Sequence, residues 1–365
     1  MRYLPLSSFC EGNCTSSFIP SIVAVAGDVG NWFFGHMGYN LHSGEPDVQN
    51  AYLLYNPRAG RVPAGGLLNR AMRVLGNAGW YIRSRKAQTG EELTAGAKEA
   101  AREGCKAVFV AGGDGSAGRV AAALAGTDTA LGILPTGTAN VWARELGLPR
   151  LSLLRIGALD RAAARLAQGE IRQIDIGLCD QRPFLLWAGI GLDGRIVGLM
   201  EPRSRLQKIF AWTCYVTIAL WQAASWGGIK LRAKALGKTW EGNFLAAVAS
   251  NIRTYAGGLL CLAPEAKADD GLLDFCLIEG RTLRDALMRV AQFLLGKQFN
   301  TDGVTHFRAA EAAFEGEGEL PGQVDGEPFA LVSPVRFAVR RRTLKVLVPE
   351  GKLPRVFSRS LEKDG

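Results

Sequence analysis

The sequence predicts two domains of different class: an α/β nucleotide-binding domain with a parallel sheet over residues 49–170, then a mainly antiparallel β-sandwich or barrel domain over 171–348. Three observations predict it. From residue 51 to about 168, short apolar runs alternate with helical stretches, the pattern of a parallel sheet with helices on both faces. After Gly169 the alternation stops, and short strand-like runs separated by Gly, Pro and Asp turns take over. A chain of 365 residues is also long enough for two cores.

The elements follow in order. Residues 1–48 are rich in Gly, Asn and Ser, show no sustained period or clear signal peptide, and read as a poorly ordered extension or as an over-long start. Residues 51–55 are a short apolar strand that ends in the turn Asn56-Pro57-Arg58-Ala59-Gly60. Helix 65–78, strand 80–85, helix 91–103 and strand 107–111 come next. The chain then turns through Gly112-Gly113-Asp114-Gly115-Ser116 into helix 117–125. Strand 131–134 leads into the loop Pro135-Thr136-Gly137-Thr138-Ala139-Asn140, and helix 158–168 closes the first domain. Runs at 171–179, 183–190, 229–235, 243–250, 272–278, 329–338 and 342–348 read as strands of the second, and 349–365 as a C-terminal tail.

Composition narrows the function. Forty-eight per cent hydrophobic and 21% charged residues fit a soluble globular protein. A net charge of +9 favours anionic partners such as nucleotides, acidic lipid surfaces or nucleic acid; the bland alternative is that the excess only aids solubility. Seven scattered cysteines without a Cys-x-x-Cys pair argue against zinc and against a disulfide framework, and for a reducing cytoplasm. With only three histidines, a His metal cage or a Ser/His triad is disfavoured. Residues 209–226 carry no charge and as a helix would measure about 27 Å. Thr213, Thr217, Gln222 and Ser225 dilute that apolarity, so the segment reads first as a helix packed on the second domain, then as an interfacial helix, last as a span. Arg203, Arg205 and Lys208 before it suit anionic headgroups or a solvated basic turn.

The turn at 112–116 carries the chemistry. Glycines let backbone N–H groups close on an anion, and the helix after the turn adds its dipole, which suits the phosphates of a nucleotide with Asp114 near a metal or the reacting phosphoryl group. The same string also suits an ordinary tight turn. The loops at 56–60, 112–116 and 135–140 all come after predicted strands of one parallel sheet, so they should meet at its carboxyl edge, where such sheets bind ligands. Two strings mislead. Gly189-Ile190-Gly191-Leu192-Asp193-Gly194 fits Gly-x-Gly-x-x-Gly, but the helical stretch after it is short and stops at Pro202, and no acidic residue ends a second strand about 20 residues on. Gly237-Lys238-Thr239 ends like a P-loop, but Arg232 stands where its first glycine belongs.

Six pieces in order make the chain resemble the diacylglycerol kinase catalytic family, which includes bacterial lipid kinases and sphingosine kinases. They are Asn56-Pro57-x-x-Gly60, 112–116, 134–140, Ile174-Asp175-Ile176-Gly177, 263–272 and Val324-Asp325-Gly326-Glu327. The resemblance covers about 51–345 and implies an ATP-dependent, Mg²⁺-requiring kinase that phosphorylates a hydroxyl of a diacylglycerol-like or long-chain-base lipid. It implies ATP contacts at Asn56, Pro57, Gly60, Gly112, Gly113, Asp114, Gly115, Ser116, Thr138 and Asn140, with Thr89 or Lys86 nearby. Glu327 would be the general base on the lipid hydroxyl, and Asp114 and Asp175 would act in the Mg–ATP network. For Glu327 the residues alone also allow a plain hairpin turn, and for Asp175 a solvent-facing strand position. Asp270, with backbone oxygens of Lys267 and Leu272, would hold a structural Mg²⁺, where a plain turn is the alternative. Asp193 falls at a lipid-headgroup position. The implied partners are a lipid and an anionic membrane surface, not nucleic acid; a homodimer stays open, and the implied location is cytoplasmic and peripheral to the membrane.

The chain departs from the family pattern in places. Ser116 replaces the usual Thr, Gly118-Arg119 replaces Asn-Glu, and Val141 replaces Asp. Arg119 brings a cation that is able to meet phosphate. Two rivals stay open: an NAD kinase, which shares the Gly-Gly-Asp-Gly turn, and a nucleotide- or lipid-binding module without activity, motivated by Arg119 and Val141.

Overall fold

The computed structural model describes residues 49–56, 65–149, 151, 157–200, 227–258, 260–296 and 302–358. The extension 1–48, Pro57, Gly60 and the uncharged segment 209–226 lie outside them. The first half runs β1 (Gln49–Tyr55), α1 (Gly65–Asn77), β2 (Trp80–Lys86), α2 (Gly90–Arg102), β3 (Ala107–Gly112), α3 (Asp114–Leu124), β4 (Ala130–Pro135), α4 (Val141–Glu145) and α5 (Ala158–Ala167). The second half begins β5 (Glu170–Cys179), β6 (Arg182–Phe184), β7 (Trp187–Gly191), α6 (Leu192–Met200), β8 (Ile229–Ala235), β9 (Lys238–Ser250), β10 (Thr254–Tyr255), β11 (Leu260–Cys261) and β12 (Leu273–Glu279). It ends α7 (Leu283–Leu294), β13 (Val304–Ala309), β14 (Glu311–Gly316), β15 (Glu319–Val324), β16 (Glu327–Val332) and β17 (Val335–Val348).

The fold is an α/β half with a parallel sheet joined to an antiparallel β-sandwich half. β2-β1-β3-β4 pair in parallel. Every residue of β3 and β4 is buried, as expected of strands covered on both faces. Helix α2 starts where it does because the Thr89 side chain accepts the Glu92 amide, with Glu91 and Glu92 in the first turn and Arg102 in the last. Leu53, Phe109, Ile133 and Leu124 fill one core, and Phe275, Phe314, Phe337 and Leu231 another. Phe275 lies edge-on to Phe337 with ring centroids 5.9 Å apart, a favourable aromatic geometry.

β17 joins the halves. Its first part pairs with β14 of the sandwich, and its last part pairs with β5 and touches β4 at Val346↔Leu131. The sequence reads this stretch as two strands, 329–338 and 342–348. The structure has instead a hairpin strand β16 and then one long strand, whose register shifts between Arg340 and Leu344 with Arg342 at φ +50°. The run read as 183–190 is likewise two strands, β6 and β7.

Candidate active site

The register sets the carboxyl ends of the parallel strands level. Tyr55 sits opposite both Lys86 and Ala111, and Gly112 sits opposite Pro135. The loops after β1, β2, β3 and β4 therefore leave one edge together. Asn56 Nδ2 donates to the Gln88 carbonyl at 3.1 Å and ties the first two loops. The amides of Thr136 and Gly137 donate to the Gly112 carbonyl at 3.2 and 3.1 Å and tie the last two. A Cβ on Gly137 would stand 2.3 Å from Gly113 Cα, so only glycine lets these loops touch backbone to backbone. Gly113 caps α3 without a side-chain hydrogen bond, and the first-turn amides of that eleven-residue helix have no side-chain cap. Gly115 and Ser116 lie in that first turn; Thr138 and Asn140 lie in the facing loop, where Asn140 is left-handed at φ +51° and donates to Gly137 O at 2.8 Å. Thr89 is spent as the cap of α2.

Asp114 turns toward that loop. Its Oδ1 accepts the Trp142 amide at 3.2 Å. Burial raises its carboxyl above the usual range, against the pull of the amides at 140–142. It therefore anchors the start of α4 beneath the glycine turn. Helix α4 in turn grips the second half: Glu145 accepts the Thr254 amide and hydroxyl at 3.0 and 2.7 Å, and Arg144 donates to Gly257 O and Gly258 O, each at 3.0 Å.

The Asp-Gly-Glu segment arrives from the second half. Asp325 and Gly326, at φ +47° and +83°, form the two-residue turn between β15 and β16, with Val324 opposite Glu327. The hairpin alternative and the functional position are thus one object. Asp325 takes the amides of Leu185 and Leu186 at 2.8 Å and of Trp187 at 3.3 Å. A Cβ on Gly118 would lie 2.5 Å from Asp325 Oδ2, so the glycine in the family's Asn position makes room for that carboxylate. One residue on, Arg119 Nε donates to Glu327 Oε1 at 2.6 Å. Helix α3 thereby carries the glycine turn at its start and meets the proposed base in its second turn.

Three expectations are corrected. Asp175 is fully buried; Oδ1 takes the Arg342 amide at 2.7 Å and Oδ2 the Gly271 amide at 2.6 Å. It satisfies the amide that the irregularity in β17 leaves unpaired, so it is neither a solvent-facing strand residue nor a member of an ATP network. Asp193 is also buried, and its Oδ2 accepts Gln323 Nε2 at 2.6 Å. Gln323 Oε1 accepts the Gly326 amide at 2.8 Å, so Asp193 braces the turn before Glu327 from within instead of meeting a headgroup. Third, the set Lys267, Asp270 and Leu272 does not fit a bound Mg²⁺. Asp270 Oδ1 takes the Leu272 amide, and Oδ2 is paired with Arg308 Nη2. Arg308 also reaches Asp274 at 3.2 Å, so a guanidinium occupies the cation position between the two carboxylates. Among the described residues no three His, Cys, Asp or Glu side chains group as metal ligands.

Burial, opposed by Arg308, pushes Asp274 up to about 6, with Asp270 adding to the rise. Arg308→Met should therefore cost about 2 kcal/mol, between exposed and fully buried pairs. Urea unfolding with Mg²⁺ or with chelator should give the same wild-type midpoint. A Mg²⁺-dependent wild-type midpoint, or an unchanged variant, would refute this role. A separate cavity of about 480 Å³, lined by Arg195, Lys230, Glu319 and Pro321 among others, shares no residue with the loops at the sheet edge.

The comparisons agree with this layout. Residues 50–179 match the model of the diacylglycerol kinase catalytic domain, and 189–348 that of the YegS C-terminal NAD kinase beta sandwich-like domain. A diacylglycerol kinase of Bacillus subtilis (strain 168) is 26% identical over 308 residues, 84% of this chain and 98% of that protein. A protein of Pseudomonas aeruginosa (strain UCBPP-PA14) named "Probable lipid kinase YegS-like" is 30% identical over 256 residues, 70% of this chain and 80% of that one. The crystal structure of a diacylglycerol kinase from Bacillus anthracis str. Sterne superposes with a TM-score of 0.63 at 20% identity, covering 83% of this chain and 98% of the other, which shows the fold. The chain belongs to the family of diacylglycerol kinases and YegS-like lipid kinases.

Proposed function

We propose that the chain transfers the terminal phosphoryl group of ATP to a hydroxyl of a diacylglycerol-like or long-chain-base lipid. The observation that carries this is the meeting of α3 with the Asp-Gly-Glu turn: Gly118 against Asp325 and Arg119 on Glu327, one to two turns from the glycine loop. The amides of residues 113–116 and the dipole of α3 would hold the nucleotide phosphates. Glu327 would orient the lipid hydroxyl and take its proton. The carboxylates of Asp114 and Asp325 are spent on amides, so Mg²⁺ would enter on the nucleotide's own phosphates, and no step here runs through it. The names of the relatives favour a lipid over NAD as acceptor. Incubation with labelled ATP, Mg²⁺ and a mixed lipid extract should label one lipid class. Label on NAD with no labelled lipid would overturn the reading.

A lipid acceptor calls for contact with a membrane. Among the described residues no helix is long and apolar enough to cross one. Helix α7 offers an in-plane alternative: Leu287, Met288, Val290 and the following Leu295 are exposed, with Arg281 and Arg284 at its start. Leu287→Glu with Met288→Glu should abolish sedimentation with phosphatidylglycerol vesicles yet leave turnover of a short-chain soluble acceptor unchanged. Undiminished vesicle binding would remove α7 from the docking face.

A further inference from the structure

Arg119 is held in a prepared position. Its guanidinium rests on the first residue of α2: a Cβ on Gly90 would stand 2.4 Å from Arg119 Cζ. Any other residue at 90 would displace it. Gly90 follows the loop after β2, so the charge sits at the carboxyl edge of the sheet, on the side of the glycine turn. Two carboxylates share it: Glu327 at 2.6 Å and Glu91 at 3.8 Å. Both are well exposed, with side-chain exposures of 48% and 81%. Exposed pairs of this kind hold weakly and exchange readily for a stronger anion. Only Nε makes a hydrogen bond among the described residues, which leaves the N–H groups of Nη1 and Nη2 unspent. A guanidinium fork with spare donors matches phosphate oxygens better than any other side chain.

We propose that Arg119 is the phosphate-binding cation of the transfer site, parked on Glu327 until nucleotide arrives and then taking the terminal phosphate of ATP on its unspent donors. The inference rests on the kinase reading of the site. In the transfer step the bond from the terminal phosphorus to the bridging oxygen breaks, and ADP leaves with the electron pair. A new bond forms from that phosphorus to the lipid hydroxyl oxygen, and the hydroxyl proton passes to the Glu327 carboxylate. Arg119 is unchanged; it neutralises the oxygens of the group in flight. Because Arg119 and Glu327 meet at rest, delivery of the phosphate also frees the base.

The test separates terminal-phosphate recognition from mere bracing of Glu327. Affinities for ATP and for ADP, each with Mg²⁺, are measured by calorimetry in wild type, Arg119→Ala and Arg119→Lys, and in Glu327→Gln with and without Arg119→Ala. Arg119→Ala should weaken ATP at least about 10-fold and ADP less than about threefold, as loss of a charge-assisted bond to one phosphate requires. Arg119→Lys should recover most ATP affinity, and the loss should persist in the Glu327→Gln background. With lipid present, kcat of Arg119→Ala should fall about 10²- to 10³-fold, below the range for arginine fingers. Equal loss of ATP and ADP, no loss, or a loss that vanishes in Glu327→Gln would each overturn the proposal. If the wild type phosphorylates no lipid but the ATP-selective loss appears, the kinase reading fails and Arg119 stands. If the wild type is active and the loss is absent, Arg119 falls and the kinase reading stands.

Discussion

Glu327→Gln is expected to slow phosphoryl transfer by about 10²- to 10⁴-fold, the usual weight of a positioned general base, while ATP affinity stays within about twofold. Glu327 opens β16 directly after a tight hairpin, its side chain about half exposed, and its polar partner among the described residues is Arg119. The amide is isosteric and can still accept from Arg119 Nε, so neither the hairpin nor the packing should change. An exposed substitution of this kind costs at most about 0.5 kcal/mol. Lost turnover with an unchanged melting temperature therefore reports on proton transfer and not on folding. Turnover within tenfold of wild type would remove Glu327 as the base and leave the Asp-Gly-Glu turn as scaffold alone.

Much of this site is legible in the sequence because strand, turn and helix signals coincide there. The runs 107–111 and 131–134 are apolar without alternation, and the loops after them are rich in glycine, so both the parallel sheet and its carboxyl edge follow. The structure sets those strand ends level through the register of Tyr55, Lys86 and Gly112. Strands β13, β14 and β15 and helices α6 and α7 escape the reading. β14 has alanines and β15 a proline and a glycine where larger side chains would mark a strand. Carboxylate orientation is the other blind spot. Asp175 and Asp193 sit in motif-like strings, and nothing local says that their partners are amides at 271 and 342 or the Gln323 side chain. The misleading glycine string at 189–194 has its own explanation. Gly189 leaves space for the Asp193 carboxylate, and a Cβ on Gly194 would lie 2.5 Å from the Gly322 amide, so these glycines let α6 lie close on β15. Arg119 reads as a departure in the sequence, and only the fold brings residue 327 to it.

The second large effect is expected at Asp325. Its carboxylate takes three amides at 185–187, and its own amide donates to Trp187 O at 3.0 Å, so one side chain fixes the hairpin that carries Glu327. Asp325→Ala would orphan three enclosed amides at about 1–3 kcal/mol each, less what water recovers, and should cost about 3–5 kcal/mol and nearly all activity. Asp325→Asn keeps one acceptor oxygen but turns an NH₂ toward the Leu185 or Leu186 amide, so it should cost less. Burial pushes the Asp325 carboxyl up to about 7; the amides pull it down, and Asp114 adds to the rise. An unfolded aspartate titrates near about 3.9. Between these values the folded chain binds a proton that the unfolded chain lacks, so this contribution to stability is full below about pH 4 and is lost as pH rises through about 7. Asp274, at about 6, works in the same direction. The asparagine variant lacks the Asp325 contribution. Its deficit in melting temperature should therefore be largest near pH 5 and shrink toward pH 8, with Asp274 and the other buried acids common to both proteins. A deficit that stays constant or widens over that range would mean that Asp325 remains charged throughout, held down by its three amides against burial and Asp114.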